Sequence, residues 1–163
     1  MAELRYTLLA EGSSDRALLP ILDWLLIEAG FSGAITRERA DLARLASPPK
    51  TLRDKIQITL EIYPCELLFV HRDADDRLRG ERVQEIQEAV NQISDSVFEH
   101  VCVIPVRMTE AWLLIDEQAI RHAAGNPNGR MRLDMPPLNR LEEMPDPKQR
   151  LQQLLGAASG PKG

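Results

Sequence analysis

Cysteine is scarce in this chain, with Cys65 and Cys102 the only two among 163 residues. Neither belongs to a Cys-x-x-Cys or Cys/His pattern, which speaks against a zinc ligand set or a disulfide framework. Each lies in or beside an apolar stretch and is expected to be a buried thiol. Aromatic residues make up only 4%, too few for base stacking to be a main mode of binding. Trp24 and Trp112 fall in helical segments and read as core residues. No apolar run is long enough to cross a bilayer, and the N-terminus lacks the basic region, apolar core and cleavage site of a secretory signal. A cytoplasmic protein with no membrane partner is therefore expected. An excess of basic charge is missing too: the net charge of -5 argues against a domain that coats nucleic acid by electrostatics alone. It leaves room for an acidic site whose divalent cations meet the phosphate.

What the chain does have is the balance of a globular domain, 44% hydrophobic and 28% charged, and length for one good core. Basic residues gather in two groups: Arg37, Arg39, Arg44, Lys50, Arg53 and Lys55, then Arg72, Arg77, Arg79 and Arg82. Taken singly, each reads first as part of a solvated face.

Leu4 to Ala10 is apolar or β-favouring and stops at Glu11-Gly12, the pattern of a strand closing in a tight turn. Ser13, Ser14 or Asp15 then caps a helix with the stripe Leu18, Leu22, Leu25 and Ala29, widened by Leu19 and Leu26 and ended by Gly30. A second strand is expected over 34–38 and a helix over 51–62. The run Glu66 to His71 reads as a buried central strand leading into Arg72-Asp73-Ala74-Asp75-Asp76. Gly80 opens a helix with Val83, Ile86, Val90, Ile93 and Val97 on one stripe. Val101 to Val106 is a further strand, Pro105 marking its end or an exposed edge. Thr109 caps a helix over 110–123, and a last helix spans 147–155. Strands alternating with helices define an α/β fold, a mainly parallel central sheet flanked by helices on both faces in the Rossmann-like manner. Residues 1–124 are read as this domain, and 125–163 as a C-terminal extension with one helix packed on it.

In such sheets ligands gather at the carboxyl ends of the strands. Glu11, the pair Asp73 and Asp75, and Glu110 each follow a strand, and Asp15 lies one turn after Glu11. Carboxylates crowded at one edge repel, and a hard cation such as Mg²⁺, with Mn²⁺ as a substitute, relieves that repulsion through oxygen ligands. Singly, each residue has a plainer reading: Glu11 in a turn, Asp15 an N-cap, Asp73 and Asp75 in a polar loop, Glu110 complementing a helix dipole. His71, on the buried strand, reads as a packed and hydrogen-bonded histidine; His100 and His122 read as surface residues. Ser13 and Ser14 lack a nucleophile elbow and triad partners.

At these residues the chain resembles the Toprim superfamily. Leu8-Leu9-Ala10-Glu11-Gly12-Ser13-Ser14-Asp15 and Phe69-Val70-His71-Arg72-Asp73-Ala74-Asp75 carry the resemblance. Glu-Gly-x-x-Asp looks most like the OLD-type nuclease branch, and Thr109-Glu110-Ala111-Trp112-Leu113-Leu114 looks like a segment of small stand-alone Toprim proteins. The resemblance covers about residues 4–124. It implies that Glu11 is a metal ligand or general acid/base, that Asp73 and Asp75 hold Mg²⁺, and that Asp15 and Glu110 complete a second metal position. It further implies hydrolysis of DNA or RNA phosphodiesters, with a separately encoded ATPase subunit in a phage-defence or repair system. The chain departs from the OLD type in carrying no ATPase segment and no matching downstream lysine. Lys148 and Lys162 are its only late lysines, so the cationic group would come from a partner, Arg107 or Arg130. Two alternatives stand beside the nuclease. One is a noncatalytic Toprim-like adaptor. The other is a haloacid-dehalogenase-like phosphatase using the first Asp of the Asp-x-Asp as nucleophile, although Arg77 occupies the position where that site has Thr or Val.

Overall fold

The structure is a computed structural model describing residues 2–12, 14–74, 78–93, 98–106 and 109–160. Its contacts gather into two compact units, Met1–Arg72 with Leu78–Ile104, and Asp73–Arg77 with Pro105–Gly163.

The first unit is α/β. Strand β1 (Glu3–Leu9) leads through a 3-10 helix (Ser14–Ala17) into α1 (Leu18–Glu28) and β2 (Ala34–Arg39). A short 3-10 helix (Leu42–Arg44), α2 (Leu52–Ile62), β3 (Leu67–His71), α3 (Arg79–Asn91) and β4 (Glu99–Val103) follow. The four strands form one all-parallel sheet in the order β2-β1-β3-β4. The two central strands are the apolar ones: Tyr6, Leu8 and Leu9 of β1 and Leu68, Phe69 and Val70 of β3 are buried. Burying one such leucine or valine contributes about 1.5–3 kcal/mol before the entropy of ordering it. Edge strand β2 is largely exposed, and edge strand β4 is half-buried along most of its length. Tyr6 meets Phe69 edge to face at 5.2 Å, and its hydroxyl donates to Asp23 Oδ1 at 2.7 Å, with Leu19 O also within reach at 3.0 Å. Asp23 Oδ2 pairs with Arg37, so one carboxylate joins β1, α1 and β2. Burial, followed by the Asp23 carboxylate, pushes the Tyr6 phenol well above its ordinary pKa.

The chain travels from β1 outward to β2, returns over β1 to β3 and continues to β4 on the other side. Right-handed crossovers assign α1 to one face and α2 with α3 to the other, and α2 does pack on α3. The strand order therefore reverses between β1 and β3. Helix α1 ends at Gly30, which takes φ 96°, and α2 is capped by Thr51, whose Oγ1 accepts from the Asp54 N–H.

The second unit, among the described residues, is helical. A 3-10 helix (Thr109–Leu114), α4 (Glu117–Ala123), another 3-10 helix (Leu138–Glu143) and α5 (Pro147–Ser159) enclose Leu114, Ile120, Leu133, Leu141, Leu154 and Ala158. Asp116 caps α4 through the N–H groups of Gln118 and Ala119. Asp146 caps α5 with Pro147 at its first position, where the missing N–H costs nothing. Among the described residues, no helix is long and apolar enough to cross a membrane.

Several expectations need correcting. The helix expected over 110–123 is broken: a 3-10 helix ends at Leu114, and Asp116 starts a new helix by capping it. Strand β4 begins at Glu99, two residues before the expected Val101, because the parallel register with β3 starts there. Helix α5 runs on to Ser159. Trp24 is 56% exposed, not in the core, and Leu25 is exposed as well. Cys65 and Cys102 are half-buried, although that burial suffices to push both thiols up.

Candidate functional site

The point where the strand order of an open parallel sheet reverses leaves a crevice at the carboxyl ends of two neighbouring strands, since their connections leave to opposite sides. Here those strands are β1 and β3, paired with Leu9 beside Val70. Glu11 follows the first by two residues, and His71 and Arg72 end and follow the second.

After Leu9 the chain turns at Glu11-Gly12. The Gly12 N–H donates to Asp15 Oδ2 at 2.8 Å, and the same oxygen stands 3.4 Å from His71 Nδ1. Asp15 and His71 are both buried, so this carboxylate fixes the turn against the end of β3. Glu11 meets Arg72 instead. Its side chain keeps 38% of its exposure, and its Oε1 lies 2.8 Å from Arg72 Nε. That contact is an ion pair whose N–H has no aligned acceptor. Arg72 also reaches Glu85 Oε1 at 3.0 Å, and Arg82 meets Glu85 Oε2 at 3.0 Å. The result is a chain of alternating charges, Glu11–Arg72–Glu85–Arg82, with its guanidinium groups largely buried and Glu11 at its open end. From β2, Arg39 Nη2 donates to Gly12 O at 3.1 Å, bracing the turn from the other side.

Glu11 and Asp15 are thus brought together in one turn, beside the end of β3. Asp73 and Glu110 belong to the second unit. Asp73 is half-buried, and the Ala74 N–H after it donates to Pro105 O at 3.2 Å. Glu110 is half-buried in the first turn of the 3-10 helix Thr109–Leu114. Asp75 lies outside the described residues, as do Arg77, Arg107 and Lys162. Lys148 and Arg130 are exposed. Among the described residues no three His, Cys, Asp or Glu side chains are grouped as a metal ligand set.

Glu11 has one oxygen in the ion pair and no partner for Oε2 among the described residues, and a carboxylate so placed is an oxygen ligand of the kind Mg²⁺ takes. No protein-family model, curated protein or solved structure matches the chain.

Sequence reasoning passed over Arg72, Arg82 and Glu85. The second basic group reads as a solvated face, yet Arg82 is only 6% exposed and Arg72 is mostly covered. One signal was present: Arg82 and Glu85 are three apart on a helix, the spacing at which opposite charges meet.

Proposed function

We propose that the chain is a Mg²⁺-dependent phosphodiesterase acting on DNA or RNA, a Toprim-type nuclease of the OLD kind. In this reading it is cytoplasmic and works with a separately encoded ATPase in a defence or repair system. The observation that supports it most is the exposed Glu11 carboxylate at the switch point between β1 and β3, held against the Arg72 guanidinium. The chain continues from Arg72 directly into Asp73-Ala74-Asp75, so β3 delivers an Asp-x-Asp after the strand that neighbours Glu11's own.

In this reading Asp73 and Asp75 would hold the first cation, with Asp15 and Glu110 toward a second, and Glu11 would serve as a further ligand or as the general acid/base. Bound Mg²⁺ supplies charge neutralisation for a phosphodiester and lowers the pKa of water. As the base, Glu11 would take the proton of the attacking water through Oε2 in place of ligating the ion. The water oxygen forms a bond to phosphorus, the bond from phosphorus to the leaving sugar oxygen breaks, and that oxygen is protonated from solvent. Arg72 fixes the Glu11 carboxylate and balances its charge, while Asp15 holds the Gly12 turn that aims it.

Asp73→Ala and Asp75→Ala test the assignment. Each should abolish Mg²⁺-dependent cleavage of a labelled oligonucleotide while keeping or raising the thermal midpoint in metal-free buffer, because one of several like charges is gone. Both variants unfolding would give the acidic loop a structural role instead. Binding of Mn²⁺ by calorimetry without turnover of any substrate would favour the adaptor reading.

A further inference from the structure

The first unit carries a second feature at the same edge. Arg16, Arg37, Arg39 and Arg44 line a groove of about 500 Å³ together with Tyr63. A neighbouring cavity of about 430 Å³ runs past Arg39, Asp41 and Lys55 to Glu11. Arg39 and Asp41 are common to both, so the two cavities lie side by side. Arg37 is neutralised by Asp23, and Arg44 meets Asp41 at 2.7 Å. Glu38 also borders the groove. Arg16 and Arg39, by contrast, have no carboxylate partner among the described residues, and the buried Nε of Arg39 has no acceptor.

We propose that this groove binds the phosphodiester backbone of a single nucleic-acid strand and leads it to Glu11. The last clause rests on the phosphodiesterase reading; the binding does not. Two observations favour a strand over a lone anion or an acidic protein. Arg16 and Arg39 are two guanidinium groups on one groove that no carboxylate of the described residues neutralises, which presents repeated positive charge to a repeated negative one. Tyr63 supplies one ring in the groove, and a basic groove with a stacking ring is how sequence-independent single-strand sites are built. Arginine suits the contact because its fork matches phosphate oxygens.

The test is fluorescence anisotropy of labelled 12-nucleotide DNA and RNA single strands, in EDTA so that no strand is cut, at several salt concentrations. Arg16→Gln, on the exposed 3-10 helix and outside the Glu11 turn, should weaken binding about three- to ten-fold and lower the slope of log K against log salt by about 0.7. Arg39→Gln should do the same. Arg53→Gln, on α2 and outside both cavities, should leave affinity and slope unchanged. An Arg16→Gln protein with wild-type affinity and slope overturns the proposal, as does a wild-type protein that binds neither strand. Displacement of the strand by inorganic phosphate or a mononucleotide at equal phosphate concentration also overturns it, in favour of a small-anion site. Arg16-dependent binding without cleavage in Mg²⁺ keeps the groove and removes the phosphodiesterase.

Discussion

Two carboxylates near the central strands meet arginine in contrasting ways. Asp23 is fully engaged: Tyr6 donates to one oxygen and Arg37 pairs with the other. Glu11 gives one oxygen to Arg72 and keeps Oε2 without a partner among the described residues. The first arrangement joins three elements and offers nothing to a ligand. The second lies at the point where the strand order reverses and presents a charged oxygen to solvent. The number of oxygens that the fold itself consumes separates a fastening from a reactive position better than the identity of the pair does.

The sharpest way to break this comparison is to neutralise the open carboxylate. Glu11→Gln keeps the size of the side chain and leaves the Gly12–Asp15 hydrogen bond intact. Single-turnover cleavage should fall by about 10²–10⁴-fold, with stability in urea shifted by no more than about 0.5 kcal/mol. Retained cleavage would move the chemistry away from Glu11.

Tyr6→Phe probes the closed carboxylate. Removing a hydrogen bond to a charged acceptor should cost about 1.5–3 kcal/mol in a urea melt, toward the lower end because Asp23 is partly reached by water, and cleavage should be unchanged. The raised pKa of Tyr6 gives this variant a pH signature. The fold favours the neutral phenol, so the stability linked to it is complete below about pH 10, the ordinary tyrosine pKa. It declines as pH rises further, because the unfolded chain ionises first. Wild-type stability should therefore drop more steeply above pH 10 than that of Tyr6→Phe; parallel curves would show that the phenol is not held neutral by the fold.

Glu110→Gln carries the smallest expected effect. As a metal ligand, Glu110 would give a rate defect that excess Mn²⁺ rescues. As a residue complementing the dipole of its short helix, its loss would cost about 0.3–1 kcal/mol with an unchanged metal response. A Mn²⁺ titration of the cleavage rate beside the unfolding midpoint distinguishes the two.

The sheet was legible where apolar runs end in turn residues. Leu4 to Ala10 and Glu66 to His71 correspond to β1 and β3 within a residue or two, because both strands are buried and hydrophobicity alone marks them. Helix α1 was harder. It is apolar nearly all round, so its sequence cannot say which side meets the sheet: Leu18, Leu19 and Leu22 are buried, while Trp24, Leu25 and Ile27 face solvent. The break at Asp116 was hidden for the opposite reason, since Leu113, Leu114 and Ile115 continue an apolar run across the end of one helix and the cap of the next. At the site, Glu11 and Asp15 could be read from their place after a strand. The coupling of Glu11 through Arg72 and Glu85 to Arg82 could not, because it depends on where α3 packs. Asp75 falls outside the described residues.

Strand β2 lies at the border of the sheet, and among the described residues only β1 pairs with it. Its outer row of N–H and C=O groups is therefore a template on which a second chain could add a strand. The sequence Thr36-Arg37-Glu38-Arg39 sets charge along that row, and bringing two copies together there would force guanidinium groups against one another and strip them of water. The arginines thus guard the molecule against stacking into fibres. Trimming them to valine or threonine should make the protein precipitate as its concentration rises, with some loss of stability from the Asp23 ion pair and the Gly12 hydrogen bond that go with them.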